Sequence, residues 1–181
     1  MSIIILDTET TGFLAASAAP VEFQPFLIDL ACIKLDENLN PIDTLTIRMK
    51  PPINIPPEAS KVNGIYDKDV VPCMPFAFWY PVISKFFTGA KMLVGHNIMY
   101  DKLVLWYELS RMGKTLNFPW AIRDVDTVEV CSQQFGHRLN LTDMHLWLFN
   151  EGFESAHTAD TDCTITMKCF IELIGRGMVV L

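Results

Sequence analysis

Asp7-Thr8-Glu9 follows directly on a short apolar run, Ile3-Ile4-Ile5-Leu6. A β-branched run of this length predicts a buried strand. Alternate side chains of a strand point to one face, so Asp7 and Glu9 leave its carboxyl end on the same side. Two carboxylates held that close repel, and a shared proton or a divalent cation relieves the conflict. Oxygen-only ligands suit Mg²⁺ or Mn²⁺ better than Zn²⁺. A lone D-x-E at a strand end is more often a solvated terminus than a site, so the pair needs acidic partners from elsewhere in the chain.

Two later segments offer them. In Leu93-Val94-Gly95-His96-Asn97-Ile98-Met99-Tyr100-Asp101 an apolar strand passes through Gly95 into a helix. Asn97 and Asp101 are four apart and share a helix face, which could turn Asp101 toward Asp7. A first-turn acid is also what the helix dipole favours without any site. In His157-Thr158-Ala159-Asp160-Thr161-Asp162 a histidine precedes the head of an apolar helix. His157 sits among small and polar residues with no apolar face to bury it, which favours a functional role. Asp160 and Asp162 are both candidate acids, and spacing does not choose between them. Thr10-Thr11-Gly12 follows the first pair; Gly12 lets the backbone turn tightly and approach a ligand. Backbone N–H groups there could meet a phosphate or a sugar hydroxyl, and the plain alternative is an ordinary turn.

The elements that must position these groups follow from pattern. Strands are predicted at Ile3–Leu6, Phe26–Leu35 and Ile42–Met49, the last two joined as a hairpin by the turn Asp36–Pro41. Pro51, Pro52, Pro56 and Pro57 break regular structure. Ser60–Gly64 reads as a short turn or the end of a short helix. Ala77–Thr88 has near-helical spacing unsettled by Pro81. Met92–Val94 and Ala121–Asp126 read as further strands. Ile98–Met112, Thr127–Phe135, Leu141–Phe149 and Asp160–Ile174 read as helices. Three strands followed by alternating strands and helices predict an α/β domain. Its sheet would be mixed, antiparallel early and parallel later, and flanked by helices.

The 181 residues fit one domain, residues 1–181, and 50% hydrophobic with 19% charged residues is a globular balance. No apolar run is long enough to span a bilayer, and the start lacks the basic region and cleavage site of a signal peptide. The five cysteines show no C-x-x-C spacing and read as free thiols in a reducing cytoplasm. A net charge of −7 argues against a broad basic nucleic-acid surface. It leaves room for a small site that takes a few nucleotides, where bound metal reverses the local sign.

Taken together, Asp7–Phe13, Leu93–Asp101 and Ala156–Asp162 resemble the three motifs of the DEDDh exonucleases of the ribonuclease H-like superfamily. That family includes the proofreading subunit of bacterial DNA polymerase III. The resemblance runs from about residue 2 to residue 174. Lesser matches lie at 57–65, 124–127 and 139–148. It selects Asp162 over Asp160. Asp29, Asn63 and Tyr100 depart from the residues common in the family, and the Leu14–Pro25 loop is longer than usual.

The resemblance implies a 3′–5′ exonuclease that releases nucleoside 5′-monophosphates through two divalent cations, Mg²⁺ or Mn²⁺. Asp7, Glu9 and Asp162 would be direct ligands, with Asp7 bridging, and Asp101 would act at the second metal. His157 would be the general base. Thr8, Thr10, Thr11, Gly12, Phe13, His96 and Asn97 would contact substrate, Phe13 by stacking or wedging beside a base. A role for Phe13 in capping the core is the alternative. The implied substrate is a single-stranded or frayed DNA 3′ end, with RNA as the alternative. The proofreading type implies a DNA polymerase or replication/repair partner as one option, and a stand-alone role is the other. A non-enzymatic binding module is disfavoured because all five groups are present. A phosphohydrolase using Asp and His is disfavoured because His96, His137, His145 and His157 lack paired ligand spacing.

Overall fold

The protein is described here by a computed structural model covering residues 2–153 and 158–181. Its first strand, β1, spans Ser2–Thr10 and outruns the apolar stretch that begins it. β2 (Leu27–Leu35) pairs antiparallel with β1, and β3 (Pro41–Arg48) antiparallel with β2. β4 (Ala90–Gly95) and β5 (Arg123–Asp126) join in parallel on the other side. The order is β3-β2-β1-β4-β5, the mixed sheet that the pattern predicts.

β1 is central and apolar on both faces because both are covered. Ile3 and Ile5 pack with Cys163, Phe170 and Leu173 of α7 (Ala159–Gly175). Ile4 and Leu6 pack with Ile83 and Phe87 of α3 (Phe76–Phe87) and with Val104, Leu105 and Leu109 of α4 (Ile98–Arg111). Each fully buried Ile or Leu contributes about 2 kcal/mol on transfer from water. The same alternation, continued past Leu6, puts Asp7 and Glu9 on the α7 side and Thr8 on the α4 side.

Pairing stops unequally at the end of β1. The ladder with β4 ends at Ile5–Val94, whereas the ladder with β2 continues to Thr10–Leu27. Residues 7–10 are thus bonded on one side only, and α4 enters on the other. Its entry is tight: a Cβ on Gly95 would lie 2.7 Å from Ile98 Cδ1 and 3.1 Å from the Leu6 carbonyl oxygen. Asn97 then adopts the left-handed conformation, φ 71°, which asparagine tolerates. A register shift between Glu9 and Thr10 inserts Ile28 as an extra residue of β2, a bulge that redirects the strand end.

Two elements go beyond the pattern-based expectation, and a third is helical as its spacing predicts despite Pro81. Pro57 opens a full helix, α1 (Pro57–Asn63), because proline is pre-set for the first helical position. α2 (Asp67–Val70) has no periodic signal and is held by its acids: Asp67 accepts from Ile55 N–H at 2.8 Å and Asp69 from Tyr66 N–H at 2.9 Å. Pro81 lies inside α3 on the exposed side, and burial of Phe76, Ile83, Phe86 and Phe87 outweighs one lost hydrogen bond. The aromatic group at 76–80 therefore divides, with Phe76 in the core and Phe78 exposed. Ile28, Ile55, Ala59, Ile65 and Val70 form a small separate core that fixes α1 and α2 over the end of β2. α5 (Thr127–Phe135) and α6 (Leu141–Phe149) fall where the pattern places them. Among the described residues no helix is long and apolar enough to cross a membrane.

Candidate active site

Asp7 and Glu9 of β1 meet Asp162 from the first turn of α7, with one carboxylate oxygen from each lying within 4.8 Å of the others. Asp160 points elsewhere: it is exposed and accepts from Thr46 Oγ1 of β3 at 3.3 Å. Asp101 approaches from the opposite face of the sheet. Its Oδ1 accepts from Thr8 Oγ1 at 2.6 Å, and both residues are buried. Asp101 nonetheless stands close enough that, of the neighbouring charges, its own bears most strongly on Asp7.

The electrostatics follow from that crowding. Burial, then the charges of Asp101 and Glu9, hold the Asp7 carboxyl well above its ordinary range. Burial, then the charges of Asp162 and Asp29, push Glu9 up to about 8. Burial pushes Asp101 up to about 7, against the opposing bond from Thr8. Arg48 is the cation that tempers Glu9. It reaches Asp29 at 3.0 Å, and Asp29 stands opposite Glu9 in the β1–β2 ladder. An all-oxygen donor set that resists ionisation when alone fits a hard divalent cation, which would favour the charged forms.

A cavity of about 430 Å³ opens beside Glu9, between residues 8–13 and α1. Pro56, Ala59 and Val62 supply apolar wall, and Phe13 projects at its edge, 89% exposed. Phe13 thus caps no core. Gly12 has φ 154°, a value that a side chain would oppose. Its carbonyl is reached by the Thr10 hydroxyl at 2.7 Å and the Tyr100 hydroxyl at 2.8 Å, which are themselves 2.6 Å apart. Thr11 N–H donates to the Phe26 carbonyl at 2.9 Å, and Phe26 N–H to Thr11 Oγ1 at 2.9 Å.

His96 and Asn97 are not brought to this cavity. His96 Nδ1 lies 2.9 Å from Thr127 Oγ1, and burial pushes its pKa down to about 4. The Asn97 N–H donates to Asp126 at 2.9 Å, and its Oδ1 accepts from Arg138 Nη2 at 2.8 Å. Both line a different recess of about 500 Å³, with Arg138 and Asn140. The expectation for His157 falls outside the described residues.

Two residues noted in the sequence only as departures prove to shape the site. Tyr100 adds one hydroxyl where an aromatic is expected, and that hydroxyl binds the Thr10–Gly12 turn. Asn63 donates from Nδ2 to the Thr10 carbonyl at 3.1 Å and accepts from Ile65 N–H at 3.0 Å. The departure itself is the signal for both, a hydroxyl added to an aromatic at Tyr100 and an amide in place of an imidazole at Asn63, since buried polar groups find partners.

A five-stranded mixed sheet with acids gathered at the carboxyl end of its central strand is the ribonuclease H-like fold. The model of the RNase_T family, described as an exonuclease, matches residues 4–170, and the chain belongs to that family. It is an exonuclease and hence a phosphodiester hydrolase. The chain is 29% identical over 174 residues to DNA polymerase III subunit epsilon of Treponema pallidum, covering 94% of this chain and 75% of that protein. It is 28% identical over 171 residues to the PolC-type DNA polymerase III of Clostridium perfringens, of which it spans only 11%. The solved E. coli exonuclease I in complex with a dA16 oligonucleotide superposes with a TM-score of 0.78 at 18% identity, over 96% of this chain and 41% of that one. The nuclease domain of 3'hExo bound to rAMP, a DEDDh family member, gives 0.76 at 16% identity, over 98% of this chain and 93% of that one. Identities this low establish the shared fold.

Proposed function

We propose that this chain, acting as a single exonuclease domain, removes nucleoside 5′-monophosphates from the 3′ ends of single-stranded or frayed DNA. The observation that carries the reading is the Asp7, Glu9 and Asp162 group, with oxygens within 4.8 Å, beside a largely apolar cavity large enough to receive a terminal nucleotide. Asp7, Glu9 and Asp162 would hold two divalent cations, Mg²⁺ or Mn²⁺, with Asp101 acting at the second of them. Bound there, such cations neutralise charge on the phosphodiester and lower the pKa of an attacking water.

The chain's own side chains do the rest. Phe13 stacks on or wedges beside a base, an interaction that tolerates any sequence. Thr11 and the Gly12 backbone contact the 3′-terminal sugar, in a turn made rigid by Thr10, Tyr100 and Asn63. His157, in neutral form, takes a proton from the attacking water. With His96 and Asn97 outside the cavity, their part is to fix the start of α4 and so the position of Asp101. Relatives named as polymerase III subunits support a polymerase or replication partner, and five free cysteines, four of them buried, suit the cytoplasm.

The test uses 5′-labelled oligonucleotides, single-stranded and duplex, DNA and RNA, with Mg²⁺ or EDTA. The expected result is a metal-dependent ladder shortened from the 3′ end, faster on single-stranded DNA. Faster digestion of the RNA would reassign the substrate to RNA, and immediate internal fragments would mean an endonuclease.

A further inference from the structure

α4 carries Asp101 in its first turn and Arg111 as its last residue, about 15 Å apart along the axis. Arg111 turns away from the chemistry and toward the long loop that joins β1 to β2. Its Nη2 donates to three loop carbonyls, Val21 at 2.9 Å, Gln24 at 2.7 Å and Pro25 at 3.2 Å. The guanidinium lies 3.9 Å from the centre of the Phe26 ring. It is paired with Glu108 at 3.1 Å, and the buried Glu108 carboxylate accepts from Leu27 N–H at 3.0 Å. Inside the loop, Gln24 is 1% exposed; it accepts from Ala15 N–H and donates to the Ala16 carbonyl, each at 3.1 Å.

Stability alone accounts poorly for this arrangement. A buried ion pair costs desolvation about equal to what its attraction returns. What the contacts do achieve is order in a surface loop with little apolar core of its own. The near end of that loop is Thr11–Phe13, at the edge of the cavity beside Glu9.

We infer that Arg111, assisted by Glu108 and Gln24, is a positioning residue that holds the 12–25 loop so that Phe13 stands ready at the cavity. The inference rests on the proposed exonuclease reading. One helix thereby sets both an acid at the reacting end and the loop that receives the nucleic acid. A loop ordered beforehand spares the substrate the entropy of ordering it, so loosening the loop weakens binding. The carboxylates are untouched, so turnover at saturation is preserved.

The experiment measures KM and kcat on a single-stranded DNA oligonucleotide for wild type, Arg111→Met, Arg111→Lys and Gln24→Ala, with melting temperatures for each. Gln24→Ala removes no charge and serves if Arg111→Met does not fold. The expected result for Arg111→Met and Gln24→Ala is a KM raised about fivefold or more with kcat within about twofold, and partial recovery of KM in Arg111→Lys. General damage to the fold would instead lower kcat through the active fraction and leave KM alone. A KM close to wild type, or a kcat that falls as far as KM rises, overturns the inference. If wild type itself releases no mononucleotides, the exonuclease reading has failed, which is a different result.

Discussion

The Thr8 hydroxyl donates to the Asp101 carboxylate at 2.6 Å and joins the central strand to the start of α4 across 93 residues of sequence. This bond favours the ionised carboxylate, while burial opposes it. Thr8→Val keeps the shape and removes the donor. It should raise the pKa of Asp101 further and move the acid limb of activity to higher pH. At neutral pH kcat should fall by roughly tenfold or more, the equivalent of one hydrogen bond to a charged group. A pH–rate profile of the variant checks both. An unmoved acid limb would show that Asp101 depends on something other than Thr8.

Asp7→Ala should abolish activity and leave the fold intact or stabilised. The wild-type carboxyl is pressed by burial and by Asp101 and Glu9, and the variant removes that repulsion. The melting temperature in EDTA should be equal to wild type or higher. Retention of more than about a tenth of the wild-type rate in Mg²⁺ would contradict its place as a metal ligand, since such a loss should cost several kcal/mol in the transition state.

Metal-free stability should fall as pH rises from about 4 to 8. Glu9 is pushed up to about 8 and Asp101 to about 7, against ordinary values near 4. Below that window both folded and unfolded chains are protonated, and the raised values cost nothing. Within it the folded chain binds more protons than the unfolded one, so stability declines with pH, and the full cost is present above the folded values. Melting temperatures in EDTA across pH 5 to 8 should therefore decrease, and saturating Mn²⁺ should flatten the slope. A flat profile in EDTA would mean that the carboxylates are better solvated than their burial implies.

Phe13→Ala should leave the melting temperature unchanged, because the ring is 89% exposed and packs in no core. It should weaken binding of an oligonucleotide by roughly tenfold or more, the scale of one base–aromatic stack. Fluorescence titration with single-stranded DNA in Ca²⁺ or EDTA measures it. Equal affinity would remove Phe13 from the substrate contacts.

His157→Ala should lower kcat by on the order of 10²–10⁴ with Mn²⁺ affinity intact, since a general base contributes to the rate and not to the metal. Activity of wild type should fall on the acid side as the imidazole is charged. Metal affinity is the discriminating measurement, because the carboxylates also release cations as pH drops. Loss of Mn²⁺ binding together with turnover would make His157 a ligand or a structural prop.

Asp7, Glu9 and Asp101 are legible in the chain because each stands beside a local signal, the end of an apolar run or the first turn of a helix; Asp160 and Asp162 share such a signal, and only the family resemblance chooses Asp162. The order of strands and helices was legible for the same reason, since periodicity reports which face of an element is buried. Periodicity is silent on which side chain meets which. Asp101 is expected to turn toward Asp7, and its charge does bear on Asp7, but its hydrogen bond to Thr8 is marked by no pattern. His96 and Asn97 lie beside the same Gly95 turn, yet their side chains face Thr127 and Arg138. Arg111 ends an ordinary amphipathic helix, and nothing near it in sequence marks the three carbonyls it binds some 90 residues earlier. α2 has no repeat to detect, because two acids bonded to backbone N–H groups hold it. Local pattern determined the elements and the acids they carry. The final packing of distant segments, α7 against β1 and Arg111 against the loop, decided which acids come together and how the loop beside them is held.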